Sequence, residues 1–339
     1  MRIALVGLRF VGLIFIFCSF SAGASNSGSS ENLQEQAMFK KMQVAAQKYN
    51  YSGTFVYQQA SQMRTSRITH LLEGKNELEK LEILDGNLRE YIRRNEEVTG
   101  YMPEEKTLLI EKRVTQDVFP AIFSAHPEDV AVYYHFRTGG DGRVAGLPCR
   151  TILLEPKDDL RYGYRLCVEK SIGLLLRAQT LDQKHEVIEQ IFFTQIEIGK
   201  IDRNRVKSSF RNVSEWRLEK AAMKLVSFSD WDVKWAPPGF TKIREMKRLV
   251  SDNPVSKGEH ANKLAIAQRE IAQIVFSDGL AAISVFIEPS TQSRTEGVLQ
   301  QGAMSIVGKR QGDFWLTIVG EVPAKSVMQL ANSIEHNPK

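Results

Sequence analysis

Cys149 and Cys167 are the residues of this 339-residue chain whose types and positions most constrain chemistry. They lie near the two ends of Gly146–Glu169, a stretch that reads as two β-runs folded back on a polar turn. If Glu155 faces Arg161 across a loop centred on Asp158, Leu154 opposes Tyr162, Ile152 opposes Tyr164 and Cys149 opposes Cys167. A directly opposed pair without hydrogen bonds brings side chains close enough for a disulfide. The competing reading is two unrelated thiols. Their spacing is unlike the Cys-x-x-Cys of a redox pair.

Other reactive types are scattered. His70, His126, His135, His185, His260 and His336 form no His-Glu-x-x-His pair that would put two metal ligands on one helical face. His185-Glu186 is half of such a motif and reads as a surface pair. Asp158-Asp159 falls in the expected hairpin turn, where solvated turn residues are expected rather than a general acid and base. Neither a phosphate loop nor a Gly-x-Ser-x-Gly nucleophile elbow is present in the sequence. No enzyme, metal or cofactor is therefore expected.

The chain length suits two domains, and 42% hydrophobic with 25% charged residues is ordinary globular composition. At the N-terminus, Arg2 and Arg9 precede an apolar run from Phe10 to Phe20, and Ala22-Gly23-Ala24 offers a cleavage site. Residues 1–24 are thus expected to be a signal peptide. Cys18 would leave with it, and loss of Arg2 and Arg9 takes the formal charge from +5 to +3. An exported chain meets an oxidising compartment, which permits a Cys149–Cys167 bond.

Leu33, Ala37, Met38, Met42, Ala45 and Tyr49 recur at helical spacing. Short strand-like runs follow at 51–57, 65–72, 78–84, 89–92, 98–102 and 107–112. Breaks fall at Gly74-Lys75-Asn76 and Asp85-Gly86-Asn87, and Gly139–Gly142 punctuates the entry to the cysteine hairpin. Runs at 174–181 and 187–198 complete an antiparallel sheet. Residues 25–200 are expected to form this domain and the polar stretch 201–215 a linker. Residues 216–339 are expected to form a smaller α+β domain, with an Asp278-Gly279 hairpin turn and a helix after Pro323.

Aromatic side chains concentrate in that second part. Trp231, Trp235, Phe240 and Trp315 are candidate anchors for a partner peptide, with core packing the competing reading. Phe119, Ile122 and Phe123 are candidates for lining a lipid cavity in the first domain, again set against core packing.

Several stretches resemble the RseB/MucB family of periplasmic regulators. They are Tyr51-Ser-Gly-Thr-Phe-Val-Tyr57, Leu84-Asp-Gly-Asn-Leu-Arg-Glu90, Gly142-Arg-Val-Ala-Gly146 and Pro156-Lys-Asp through Arg161-Tyr-Gly-Tyr164. The second part adds Pro237-Pro-Gly-Phe240, Ser277-Asp-Gly-Leu280, Ser284 to Pro289, and Val319 to Pro323. The resemblance implies an N-terminal domain similar to the lipoprotein carriers LolA and LolB, an unclosed antiparallel β-barrel with helices on its concave side, beside a smaller C-terminal α+β domain. It also implies binding to the periplasmic region of an RseA- or MucA-type anti-sigma factor, shielding it from the first protease cut. Lipopolysaccharide or lipoprotein acyl chains would release that brake. No nucleic-acid partner is expected, and homo-oligomerisation is left open. The alternative is a periplasmic lipoprotein carrier or lipid-binding chaperone, which would need only the first domain.

Overall fold

A computed structural model of the protein describes residues 27–112, 126–220, 223–251, 268–290 and 294–337. The expected signal peptide and the candidate cavity residues Phe119, Ile122 and Phe123 lie outside the described residues.

The chain begins with α1 (Ser27–Lys48) and then builds its first sheet. Its early strands are β1 (Tyr51–Gln59), β2 (Gln62–Glu73), β3 (Asn76–Ile83), β4 (Arg89–Arg94), β5 (Glu97–Met102) and β6 (Thr107–Lys112). After α2 (Pro127–Tyr133) come β7 (Tyr134–Val144), β8 (Leu147–Pro156), β9 (Gly163–Glu169), β10 (Leu175–Leu181), β11 (Val187–Ile198) and β12 (Arg217–Lys220). The strand order is β12-β6-β5-β4-β3-β2-β1-β11-β10-β9-β8-β7. Neighbours are antiparallel except β12, which runs parallel to β6. The two end strands do not pair, so the sheet stays open. β7 nevertheless approaches β11, four places away in that order, so this half of the sheet curls back on itself.

Burial explains the helix positions. Phe39, Met42 and Ala46 of α1 and Val130 of α2 pack on Phe136, Ile152, Leu154, Tyr164, Leu166 and Val168. Phe39 meets Phe136 edge-on at 5.6 Å. Each such large apolar side chain removed from water contributes about 1.5–3 kcal/mol. A second cluster gathers Tyr51, Phe55, Ile68, Leu176 and Phe193 around Cys149 and Cys167.

The cysteines are joined, with Cα atoms 5.5 Å apart, but not in the expected register. Leu154 pairs with Tyr164 and Ile152 with Leu166, while Cys149 faces Glu169 and Cys167 faces Thr151. The pairing has slipped by two residues, which preserves the face of every side chain because the strand period is two. The disulfide is therefore a diagonal link. The slip follows from where the loop holds Arg161. Arg161 does not face Glu155, which pairs with Arg137 at 2.8 Å, and instead stays in the loop with Asp158. Nor do Gly139–Gly142 end a strand: β7 runs through them with a bulge between Thr138 and Asp141.

Residues 201–216 lie as a strap over the polar face of β2–β5. Ile201 and Val206 pack on Leu71 and Leu78. Glu90 accepts from the Ser209 backbone N–H at 3.0 Å, and Phe210 stacks on Tyr101 at 6.0 Å.

The second sheet contains β13 (Met223–Leu225), β15 (Thr241–Ser251), β16 (Gln268–Ser277), β17 (Ala282–Pro289), β18 (Gly297–Gln301), β19 (Met304–Gln311) and β20 (Phe314–Gly320). Its order is β13-β15-β16-β17-β20-β19-β18. β14 (Trp231–Val233) pairs with β21 (Ile334–His336) as a separate ribbon. Helix α3 (Ala324–Asn332) starts after Pro323 and buries Val327, Leu330 and Ala331 in a cluster with Ile283, Val285, Leu316 and Ile318. Mostly sheet with three described helices, the architecture is α+β, as expected.

Candidate partner-binding site at the seam between the sheets

The loop that displaced the cysteine register also joins the two halves of the molecule. Residues 157–162 project from β8–β9 toward the 236–240 loop and the β16–β17 turn. Arg161, its side chain fully buried, donates from Nε to Asp158 at 3.0 Å, from Nη1 to Asp278 Oδ2 at 3.0 Å and from Nη2 to the Pro238 carbonyl at 2.6 Å. Its guanidinium also lies over the Tyr133 ring at 4.7 Å, with Tyr134 and Phe240 at 5.6 Å. Burial opposes its charge, but the Asp158 hydrogen bond and the neighbouring acids outweigh that and hold its pKa above the ordinary value.

Asp278 is placed by its own turn. Its Oδ1 accepts from Leu280 and Ala281 backbone N–H groups, each at 2.9 Å, leaving Oδ2 for Arg161. That turn also pushes Leu280 into the first sheet's core. Gly239 admits the close approach on the other side. Its φ is +87°, and a Cβ there would lie 2.3 Å from a Tyr133 ring carbon. Only glycine meets both demands without strain.

Further contacts extend the seam. Ser326 donates to the Leu160 carbonyl at 2.7 Å, and Lys325 pairs with Asp159. Gln300 reaches the Tyr162 hydroxyl at 3.0 Å, and Gln59 donates to the Gln301 carbonyl at 2.9 Å. Two carboxylates sit here at a cost. Burial raises the pKa of Glu189 despite hydrogen bonds from Tyr57 and Gln59. Burial, then the charge of Glu189, raises that of Glu321.

The sequence-selected aromatics divide between locations. Trp231 and Phe240 are buried in the second core, and Trp235 packs against it half-buried. Trp231 stacks on His336 at 4.4 Å. Trp315 is buried on the opposite face of β20 from Phe314 and Leu316, with Arg294 over its ring at 5.6 Å. Phe240 alone of these four touches the Arg161 guanidinium. Sequence reading passed over Arg161 and Asp278 themselves. The available signal was their presence in two of the quoted motif stretches, each centred on a turn.

Beneath the strap lies a cavity of about 760 Å³, lined by Arg67, Lys80, Arg205, Lys207 and Arg211 with Ser52, Thr54 and Ser208. Lys207 and Arg211 are exposed. Among the described residues, no group of histidine, cysteine and carboxylate side chains is arranged to hold a metal ion. No described helix is long and apolar enough to cross a membrane.

Comparison with known proteins covers both halves. The MucB/RseB N-terminal domain pattern matches residues 34–214 and the MucB/RseB C-terminal domain pattern matches 226–335. The sigma-E factor regulatory protein RseB of Haemophilus influenzae is 25% identical over 97% of this chain and 99% of its own length. The sigma factor AlgU regulatory protein MucB of Pseudomonas aeruginosa is 29% identical over 87% of this chain and 88% of that protein. A crystal structure of MucB in complex with MucA(peri) superposes with a TM-score of 0.67 at 25% identity, covering 90% of this chain and all of that one. The Pseudomonas aeruginosa MucA/MucB complex gives 0.69 at 26% identity, with the same coverage.

Proposed function

The chain belongs to the MucB/RseB family, and from that premise we propose that it is a periplasmic negative regulator of a sigma-E type envelope stress response. It acts without catalysis, after loss of a leader at 1–24, by binding the periplasmic region of an RseA- or MucA-type transmembrane anti-sigma factor. While bound, it shields that partner from the first, DegS-type protease cut. The observation that carries the reading is the likeness to MucB in its MucA complexes, which spans both sheets and 90% of this chain. Of the four candidate aromatics, Trp235 is only half-buried, beside the 236–240 loop, and is the one best placed to support partner binding.

Release comes from lipopolysaccharide or lipoprotein acyl chains. The cation-lined cavity under the strap supports a signal that bears phosphate, because five basic side chains line it against Glu82 and Glu197. A ligand that prefers the free regulator lowers its affinity for the partner by the same coupling free energy.

The test is protection. Purified mature chain added to the anti-sigma periplasmic segment and a DegS-type protease slows the first cut, and lipopolysaccharide restores its rate. Cleavage that proceeds at the same rate under saturating regulator would overturn the proposal.

A further inference from the structure

We propose that Arg161 is a positioning residue that sets the angle between the two sheets, and that the anti-sigma segment is gripped by surfaces of both sheets held at that angle. The partner in this inference rests on the function proposed above.

A planar guanidinium with donors fixed in a fork reaches three acceptors in three directions: Asp158 on its own loop, Asp278 on the β16–β17 turn and the Pro238 carbonyl. Two of the three belong to the second half of the chain, so satisfying all of them defines one orientation. The rings of Tyr133 and Phe240, one from each half, close over the group and shut out water. No other described seam contact fixes three directions at once; the buried Ser326 hydroxyl holds the Leu160 carbonyl by a single bond. Lys325–Asp159 is an exposed pair, and the amides of Gln59 and Gln300 each offer a flexible contact. Exposed pairs of that kind hold little. Leu280 is buried in an apolar surround, which resists separation but has no directional bond to resist rotation.

A buried ion pair is a poor source of stability, because both charges lose their water. Its retention in the middle of a seam points to specification of geometry. Arg161 is then required for partner binding without touching the partner.

The experiment uses the full mature chain, spin-labelled at Lys75→Cys and Asp313→Cys, two exposed sites on opposite sheets. The native cysteines are bonded to each other and do not take the label. Three backgrounds are compared: the unchanged seam, Arg161→Lys, and Arg161→Met combined with Asp278→Asn. The double variant leaves no buried charge unpaired, so both sheets keep their melting transitions. The inter-label distance distribution is single and narrow with the native seam and broad in the double variant. Affinity for the purified anti-sigma segment, measured on the same samples, falls at least tenfold. Arg161→Lys, which keeps the charge but loses the fork, falls between. A distribution as narrow as that of the native seam in the double variant, or affinity within twofold of it, overturns the inference. If the native seam itself shows one narrow distance but no affinity, the functional proposal fails and the angular role of Arg161 stands on the distances alone.

Discussion

Removing the Cys149–Cys167 link should destabilise the first sheet by an amount set mainly by chain entropy. The bond closes a loop with a sequence separation of 18. Cross-linking a loop of that length restricts the unfolded ensemble by about 3 kcal/mol. Both sulfurs are buried, at 0% and 3% exposure, so replacement by alanine adds a small cavity to that loss. For a unit of this size each kcal/mol moves the midpoint by about 2–4 °C, giving a fall of roughly 6–12 °C. The perturbation is the double substitution Cys149→Ala, Cys167→Ala, and the assay is scanning calorimetry with the native chain alongside. The transition of the first sheet should drop, and that of the second sheet, which shares no side chain with this cluster, should stay. A first transition displaced by less than about 2 °C would rule out a loop-closure contribution of this size, which alone exceeds that shift.

Other expectations follow from the charged groups and the seam. His70 donates to Glu77 at 3.1 Å, and this bond, with Arg93 at 2.5 Å, overcomes burial and holds the Glu77 carboxyl at about 2, below its ordinary 4.5. A depressed carboxyl stabilises above its unfolded value and loses that contribution as pH falls toward 2. Glu77→Gln should therefore cost about 2 kcal/mol at neutral pH and flatten the acid limb of the stability curve; an unchanged limb would show that Glu77 is not its source. Glu189 has the opposite sign: its raised pKa means that stability present below the unfolded value is lost as pH rises through the folded one. Glu189→Gln should raise the melting point at pH 8 relative to pH 5, and a variant that melts lower at pH 8 would contradict this. Gly239→Ala places a Cβ against Tyr133 at positive φ and should cost about 2–4 kcal/mol, read by denaturant unfolding. A native midpoint would mean that the loop relaxes freely.

Much of the strand pattern was legible locally. The runs at 107–112 and 187–198 coincide with β6 and β11, because alternation and turn residues mark both ends. The helix stripe was less so. Met42 and Ala45 of the expected stripe are buried, but Leu33 and Tyr49 are exposed at 66% and 38%, and Phe39 and Ala46 join the buried face. Hydrophobic spacing alone does not say where a helix meets its sheet. The cysteine register missed by two residues for the same kind of reason. The composition of 157–162 announces a turn, but its length depends on Arg161 being drawn toward Asp278, 117 residues later. Parallel pairing of Arg217–Lys220 with Thr107–Ile110 likewise has no local signature, since the partners lie 110 residues apart. The site was visible as motif stretches and invisible as a geometry, because its central contact is a buried charge shared between two turns.

Partner binding is read directly by one titration. The mature chain is titrated by calorimetry with the periplasmic segment of the single-span RseA- or MucA-type anti-sigma factor from its own genome. Saturable binding is expected, with a Kd on the order of micromolar or tighter. Absence of saturable heat at segment concentrations approaching roughly 1 mM would contradict it.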